Sequence, residues 1–307
     1  MGENLNSNVI HVEHLRKTYG SVVAVNDISF EVRPGEVFGL LGPNGAGKTT
    51  CVECLQGLRH PTAGNIRVLG LDPVSQAHAL RPRIGSQLQK SELPYRIKVW
   101  EALELFSFFT PGARDWKQLM KEWDLVDRAN ALFSNLSGGE RQRLFIALAL
   151  VSNPEVVFLD EMTTGLDPVA RHVAWSLIKD VRARGTTVVL VTHFMDEAEE
   201  LCDRLAIIDK GNIVALDSPQ KLISKNASYI KVRFTTNSDD LSWLNKIEYV
   251  KKLTRQGPQV EIEGTGPVLP VVAAALVNHG IIPEDLRIKQ PSLEDVFLNL
   301  TGHKIED

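Results

Sequence analysis

The chain has 307 residues, 43% of them hydrophobic, and a formal net charge of −4. That length fits one large domain, or one domain with a small second one, and the apolar content is ample for a core. No block of basic residues marks nucleic acid as a partner, and the three cysteines do not make a disulfide framework. Met1 to Asn8 is polar, without the apolar centre of a signal peptide. The longest uninterrupted apolar run, Leu144 to Val151, is well short of a membrane span. The chain is therefore expected to be soluble by itself, and any crossing of a membrane falls to another chain.

In chain order, residues 9 to 36 read as short strands, Val9–Val12, Val22–Val25 and Ser29–Val32, broken at Tyr19-Gly20 and Pro34-Gly35. Val37–Leu41 is the first of three continuous apolar runs; the others are Val156–Leu159 and Val188–Val191. Such runs suit strands covered on both faces in a parallel sheet. Helical patterns cover Lys48 to about Gln56, stopped by Gly57, and Pro168 to about Arg184, stopped by Gly185. Asp167-Pro168 is a helix start, an acid at the N-cap before proline at the first helical position. Residues 99 to 152 read as wholly helical, an insertion between sheet strands. Asp209-Lys210-Gly211-Asn212 reads as a hairpin turn between Leu205–Ile208 and Ile213–Leu216. Composition shifts after about Asn226. Strands at Tyr229–Thr235, Val260–Glu263 and Leu286–Lys289, with helices at Pro267–His279 and Ser292–Leu300, suggest a small α+β appendage.

Each apolar run ends in polar chemistry. Val37–Leu41 leads into Gly42-Pro43-Asn44-Gly45-Ala46-Gly47-Lys48-Thr49-Thr50 and then a helix, the context expected of a phosphate-binding loop. Its glycines let backbone N–H groups turn towards one anion, and the helix start adds its own. Lys48 can reach the β- and γ-phosphates of a nucleoside triphosphate, and Thr49 can offer its hydroxyl to Mg2+. The second run ends at Asp160-Glu161. On an extended strand these side chains point opposite ways, so they should differ in role: Asp160 for Mg2+, Glu161 for an attacking water. The third ends at Thr192-His193. Ligands of open α/β sheets lie beyond the carboxyl ends of strands, so the three ends should converge.

Leu136-Ser137-Gly138-Gly139-Glu140 precedes an apolar helix. Ser137 and Glu140 have capping-box spacing, which explains a helix start but not the glycines. Two glycines in a first turn cost about 1 kcal/mol each against alanine, which makes sense where a phosphate must approach the backbone. Cys51 and Cys54, three apart on one helix, read as buried small residues rather than a redox or metal pair. Trp100, Phe106, Phe108 and Phe109 read either as core or as a surface for a partner helix.

These motifs, in this order and rough spacing, make residues 9 to about 225 resemble the nucleotide-binding subunit of an ATP-binding cassette (ABC) transporter. The resemblance implies an α/β P-loop NTPase domain over residues 1–225, with a RecA-like core, an antiparallel β subdomain and a helical subdomain at about 90–152. A C-terminal accessory α+β domain over 226–307 would follow. It implies ATP hydrolysis with Mg2+, and two copies sandwiching nucleotide, with Ser137, Gly138 and Gly139 of one meeting the γ-phosphate held by the other. By the same resemblance Tyr19 stacks on adenine, Gln89 touches Mg2+ and the attacking water, with Gln87 a nearby rival, and His193 contacts the γ-phosphate. Asp167 matches an acid at the dimer interface, although an N-cap alone also explains it. The family usually has proline after the catalytic glutamate; here it is Met162, which removes no chemical group. Ser292–Leu298 resembles the tail of bacterial drug-, antibiotic- and polysaccharide-export ATPases. That implies a separate permease and a place on the cytoplasmic face of a bacterial plasma membrane. An importer ATPase is the second reading, and a non-transport cassette acting on DNA or ribosomes the third.

Overall fold

A computed structural model describes residues 8–87, 92–226, 229–238, 240–289 and 291–303. The elements run β1 (Ile10–Tyr19), β2 (Val22–Val32), β3 (Val37–Leu41), α1 (Lys48–Leu55), β4 (Ala63–Val68), α2 (Ala77–Leu80), β5 (Ile84–Gln87), α3 (Val99–Phe109), α4 (Trp116–Glu122) and α5 (Gly138–Ala149). They continue with β6 (Val156–Asp160), α6 (Pro168–Ala183), β7 (Thr187–Thr192), α7 (Met195–Leu201), β8 (Arg204–Asp209), β9 (Asn212–Asp217) and α8 (Pro219–Asn226). The last are β10 (Ile230–Thr235), β11 (Val250–Gln256), β12 (Gln259–Gly264), α9 (Val268–Asn278), β13 (Glu284–Lys289) and α10 (Leu293–Thr301). The chain divides into two compact units, with the division between Pro219 and Gln220.

The first unit is built on a six-stranded sheet in the order β5-β6-β7-β3-β8-β9. Its pairings from β5 to β8 are parallel, and β8–β9 is an antiparallel hairpin turned by Lys210 and Gly211, both at positive φ. Every residue of β3, β6 and β7 is buried, which is why these strands read as continuous apolar runs. Leu41 pairs with Thr192, and Asp160 with Val191. The three strands therefore finish within about one residue of each other. A second, antiparallel sheet, β2-β1-β4, packs into the same core, with Phe30 stacked on Phe38 at 5.3 Å.

Two expectations are corrected here. The short strands foreseen between residues 9 and 36 are two long ones, of 10 and 11 residues. Irregular pairing, with His14 and Asp27 at positive φ, breaks the alternation that would have made them legible as single strands. The insertion at 99–152 is not wholly helical: between α4 and α5 the chain runs through two 3-10 turns, Val126–Arg128 and Phe133–Asn135. Phe133 N–H donates to the Ile97 carbonyl and Leu125 N–H to that of Met120, so these backbone groups are satisfied without a helix. β4, β5 and β11 were not foreseen, being short or largely polar.

The second unit has an antiparallel sheet, β11-β12-β10-β13. Val232, Phe234, Val260 and Ile262 from its inner face pack with Val268, Val272 and Leu276 of α9 around a separate core.

Close packing of the central strand generates a test. A Cβ on Gly39 would lie 2.6 Å from Cys202 Sγ and 3.0 Å from Leu205 Cβ. Gly39→Ala is expected to destabilise the first unit by about 1–3 kcal/mol in urea denaturation. Adding Cys202→Ala should recover part of that loss; no recovery would place the strain elsewhere.

Candidate nucleotide site

The loop from Gly42 to Gly47 joins β3 to α1. Gly45 (φ +80) and Gly47 (φ +102) take left-handed conformations, and a Cβ at Gly47 would lie 2.2 Å from the Ala24 carbonyl oxygen. Gly42 is held differently: a Cβ there would meet the Ile208 carbonyl oxygen at 2.1 Å. The glycines thus serve loop shape and the fit of the loop against its neighbours together. The loop, with Asn44, Lys48, Thr49, Thr50 and Glu161, lines a cleft of about 320 Å³. Within the loop, Ala46 N–H donates to the Pro43 carbonyl.

Lys48 is only 4% exposed, and its ammonium donates to the carbonyls of Gly42 (2.8 Å) and Pro43 (3.0 Å). It lies 3.7 Å from Glu161 Oε1. Burial pulls its pKa down, against the pull of Glu161 and Asp160, which favour the cation. His193 follows β7, buried, with Nδ1 3.4 Å from the same Glu161 oxygen. One carboxylate thus bridges the lysine of the first strand end and the histidine of the third.

Glu161 departs from the expected strand geometry. The strand ends at Asp160, and Glu161 takes φ +49, a left-handed conformation unusual for a residue with a side chain. Its N–H donates to the Val191 carbonyl at 2.9 Å. Asp160 and Glu161 do differ in surroundings, but through this turn and not through strand alternation. Strain of this kind collects where geometry must be exact for chemistry.

Asp160 is 3% exposed, and its Oδ1 has no hydrogen-bond partner among the described residues. Burial pushes its carboxyl up to about 6; the Thr49 hydroxyl and Lys48 act against the shift, and Glu161 adds to it. Two hard oxygen donors, one of them unsatisfied, suit Mg2+.

Ser137, Gly138, Gly139, Asp167 and Tyr19 are not among the residues that line this cleft. Ser137 caps α5: its Oγ accepts from Glu140 N–H (3.3 Å), and Glu140 Oε2 accepts from Ser137 N–H (2.8 Å). Ser137 and Gly138 are exposed. A Cβ on Gly138 would touch Leu166 at 3.2 Å, whereas Gly139 has open space beside it and no positive φ. Nothing in the chain's own packing calls for glycine at 139. Asp167 caps α6, its Oδ1 accepting from Val169 and Ala170 N–H at 2.9 Å each. Tyr19 ends β1, half exposed, with Lys17 Nζ 4.9 Å from its ring centre. Its strand partner Val22 stands two residues from Ala24, which lines the cleft. Gln89 lies outside the described residues. Its rival Gln87 is buried and donates to Gln142 Oε1 (3.1 Å).

Sequence reasoning assigned no role at the site to the polar groups behind it. Gln142 donates to the Met162 carbonyl at 2.6 Å, bracing the turn after Glu161. Glu197, fully buried, accepts from the Trp175 indole N–H at 3.0 Å. Both sit in polar runs, where no local signal separates an inward from an outward side chain. Cys51 and Cys54 are free and buried, and burial pushes both thiols up, the Cys54 thiol to about 11.

A carboxyl whose pKa is raised by folding costs stability when ionised. The cost is complete above about pH 6 and fades as pH falls through it. Asp160→Asn is therefore expected to raise the thermal midpoint by a few degrees at about pH 8, and by less at about pH 5. An unchanged midpoint at the higher pH would remove the burial penalty.

Residues 25–164 match the family model described as ABC transporter. A "Nod factor export ATP-binding protein I" of Bradyrhizobium diazoefficiens is 39% identical, over 99% of this chain and 99% of its own length. Its counterpart in Ralstonia nicotianae is 37% identical, over 97% of this chain and 95% of its own. Among solved structures, an ATP-binding subunit of an ABC transporter aligns with TM-score 0.63 and 26% identity, over 71% of this chain and 92% of that one. A dimeric ATP-binding cassette bound to ADP and Pi aligns with TM-score 0.60 and 27% identity, over 68% of this chain and 98% of that one. By its match to these relatives over nearly its whole length, the chain belongs to the ABC transporter family, as an ATP-binding subunit that hydrolyses ATP.

Proposed function

We propose that this chain powers export through a membrane permease encoded separately, and that two copies clamp ATP between them. The observation that carries the catalytic half is the bridge at Glu161, 3.7 Å from Lys48 and 3.4 Å from His193. In this reading Lys48 exchanges two loop carbonyls for phosphate oxygens. Glu161 orients and polarises the attacking water, and His193 steadies the γ-phosphate. Thr49 and Asp160 hold Mg2+, which when bound neutralises charge on the phosphate oxygens. Tyr19 supplies a stacking face for adenine, a contact worth about 1–3 kcal/mol. The exposed start of α5 presents Ser137, Gly138 and Gly139 to nucleotide on the second copy, with Asp167 at the same interface. The dimeric ADP-bound cassette supports that pairing.

Export rests on the relatives, whose names assign them to Nod factor export. Drug or antibiotic efflux is narrower than those names support. No helix among the described residues is long and apolar enough to cross a membrane, so the crossing is assigned to the permease. A groove of about 330 Å³, whose lining includes Leu58, Ile84, Phe106, Leu148 and Val151, is the place we assign to apolar side chains of that permease. Beside Phe106 on α3, Phe108 and Phe109 are 82% and 73% exposed, an apolar surface that a partner helix would cover.

Two experiments test these halves. Lys48→Ala should abolish ATP binding, while Glu161→Gln should keep binding, nearly stop turnover and trap a closed dimer in size-exclusion chromatography with MgATP. Normal phosphate release by Glu161→Gln would remove Glu161 from the mechanism. Phe108→Glu should leave ATP binding by the chain intact and abolish copurification with the permease; intact copurification would move the docking surface elsewhere.

A further inference from the structure

The mechanism leaves one buried acid unused. Glu197, in the first turn of α7, is 0% exposed and four residues beyond His193. Its carboxyl accepts from Trp175 Nε1 at 3.0 Å, and its other oxygen, Oε2, has no hydrogen-bond partner among the described residues. The hydroxyls of Thr192 and Thr163 stand close enough to favour its ionised form, against the burial that pushes its pKa up. Thr163 follows Glu161 by two residues and Thr192 precedes His193, and both are 0% exposed. One carboxyl therefore lies at the junction of three segments: the turn after the catalytic glutamate, the end of the histidine strand, and helix α6.

A second contact ties the same partners. Arg171 stands one helical turn before Trp175 on α6, which starts at Asp167. Its guanidinium carbon lies 4.3 Å from the centre of the Phe194 ring, and its Nη1 donates to Asp196 Oδ2 at 3.3 Å. The Phe194 ring in turn lies 4.1 Å, centre to centre, from the His193 ring. One face of α6 thus grips the histidine turn twice, through Arg171 on Phe194 and Asp196 and through Trp175 on Glu197. Burying a carboxyl this completely is costly, and an apolar residue of similar volume would pack there without that cost.

We infer that Glu197 is a positioning residue for hydrolysis: with Trp175 it holds the His193 turn to α6, and so ties the γ-phosphate contact to the helix that Asp167 caps. Glu197 touches no reacting atom; it acts through the placement of His193, and the inference rests on the reading of His193 given above. A displacement of about 1 Å in such a group is enough to cost about a hundredfold in rate.

The test uses the full chain, with MgATP turnover read by phosphate release and ATP affinity read by a fluorescent nucleotide. Glu197→Ala should lower kcat by about tenfold or more with KM within about twofold, because nucleotide binding does not pass through this contact. Glu197→Gln, which keeps an acceptor for the indole N–H, should stay within about threefold of the parent. Trp175→Phe, which keeps a ring but loses the donor, should lower kcat at unchanged KM, and combining it with Glu197→Ala should cost little more than the single change. A Glu197→Ala protein with parental kcat overturns the inference, as does a Glu197→Gln protein as impaired as the alanine variant. Should Glu197→Ala not fold, parental kcat in Trp175→Phe overturns it equally. His193→Ala is run alongside. Full turnover there sinks the reading of His193 and the inference with it; loss there, with parental kcat in Glu197→Ala and Trp175→Phe, sinks the inference alone.

Discussion

The register of three parallel strands is the constraint on which the site depends. Pairing of Leu41 with Thr192 and of Asp160 with Val191 brings the carboxyl ends of β3, β6 and β7 to one level. Each strand is buried along its whole length, so a slip of one residue would draw the polar end into the sheet and push an apolar residue out at the other end. The apolar core thus sets the distances between Lys48, Glu161 and His193. Hydrophobic burial fixes the position of groups that are themselves unfavourable to bury.

Those groups hold one another in place. The side chains of Lys48, Asp160 and Glu161 are almost fully buried side by side, and each charge would be costly there alone. The lysine cation lies beside the Glu161 carboxylate, but Asp160 keeps an unsatisfied oxygen and a pKa raised to about 6. This charge arrangement is poorly balanced for the chain by itself and well suited to a bound cation and a triphosphate. The left-handed turn at Glu161 belongs to the same economy. It swings the carboxylate away from the strand direction, towards both the lysine and the histidine.

Much of this was legible in the residues. Continuous apolar runs marked the buried strands, and the polar residues closing each run marked the site. The Asp167-Pro168 and Ser137–Glu140 starts are local chemistry, each cap closing within three residues, so their helices began where expected. Other features were hidden for identifiable reasons. β5 is four residues long, Ile84–Gln87, too short for a period to emerge. β1 and β2 lose alternation at their irregular pairs, and 3-10 turns in the helical insertion carry polar and apolar residues without a helical repeat. The roles of Gln142 and Glu197 depend on what packs over them, which no window of sequence contains.

The sequence by itself determined the phosphate loop, the order of its partners and the parallel α/β class, because each rests on short-range backbone chemistry or on the pattern of apolar residues. Only the tertiary structure decided that one oxygen of Glu161 stands between Lys48 and His193, and that Asp160 is left under-satisfied. It also placed a buried Glu197 beneath the histidine turn. The physical reason is that burial and electrostatics depend on distances between residues far apart in the chain, and those distances exist only once the strands have paired.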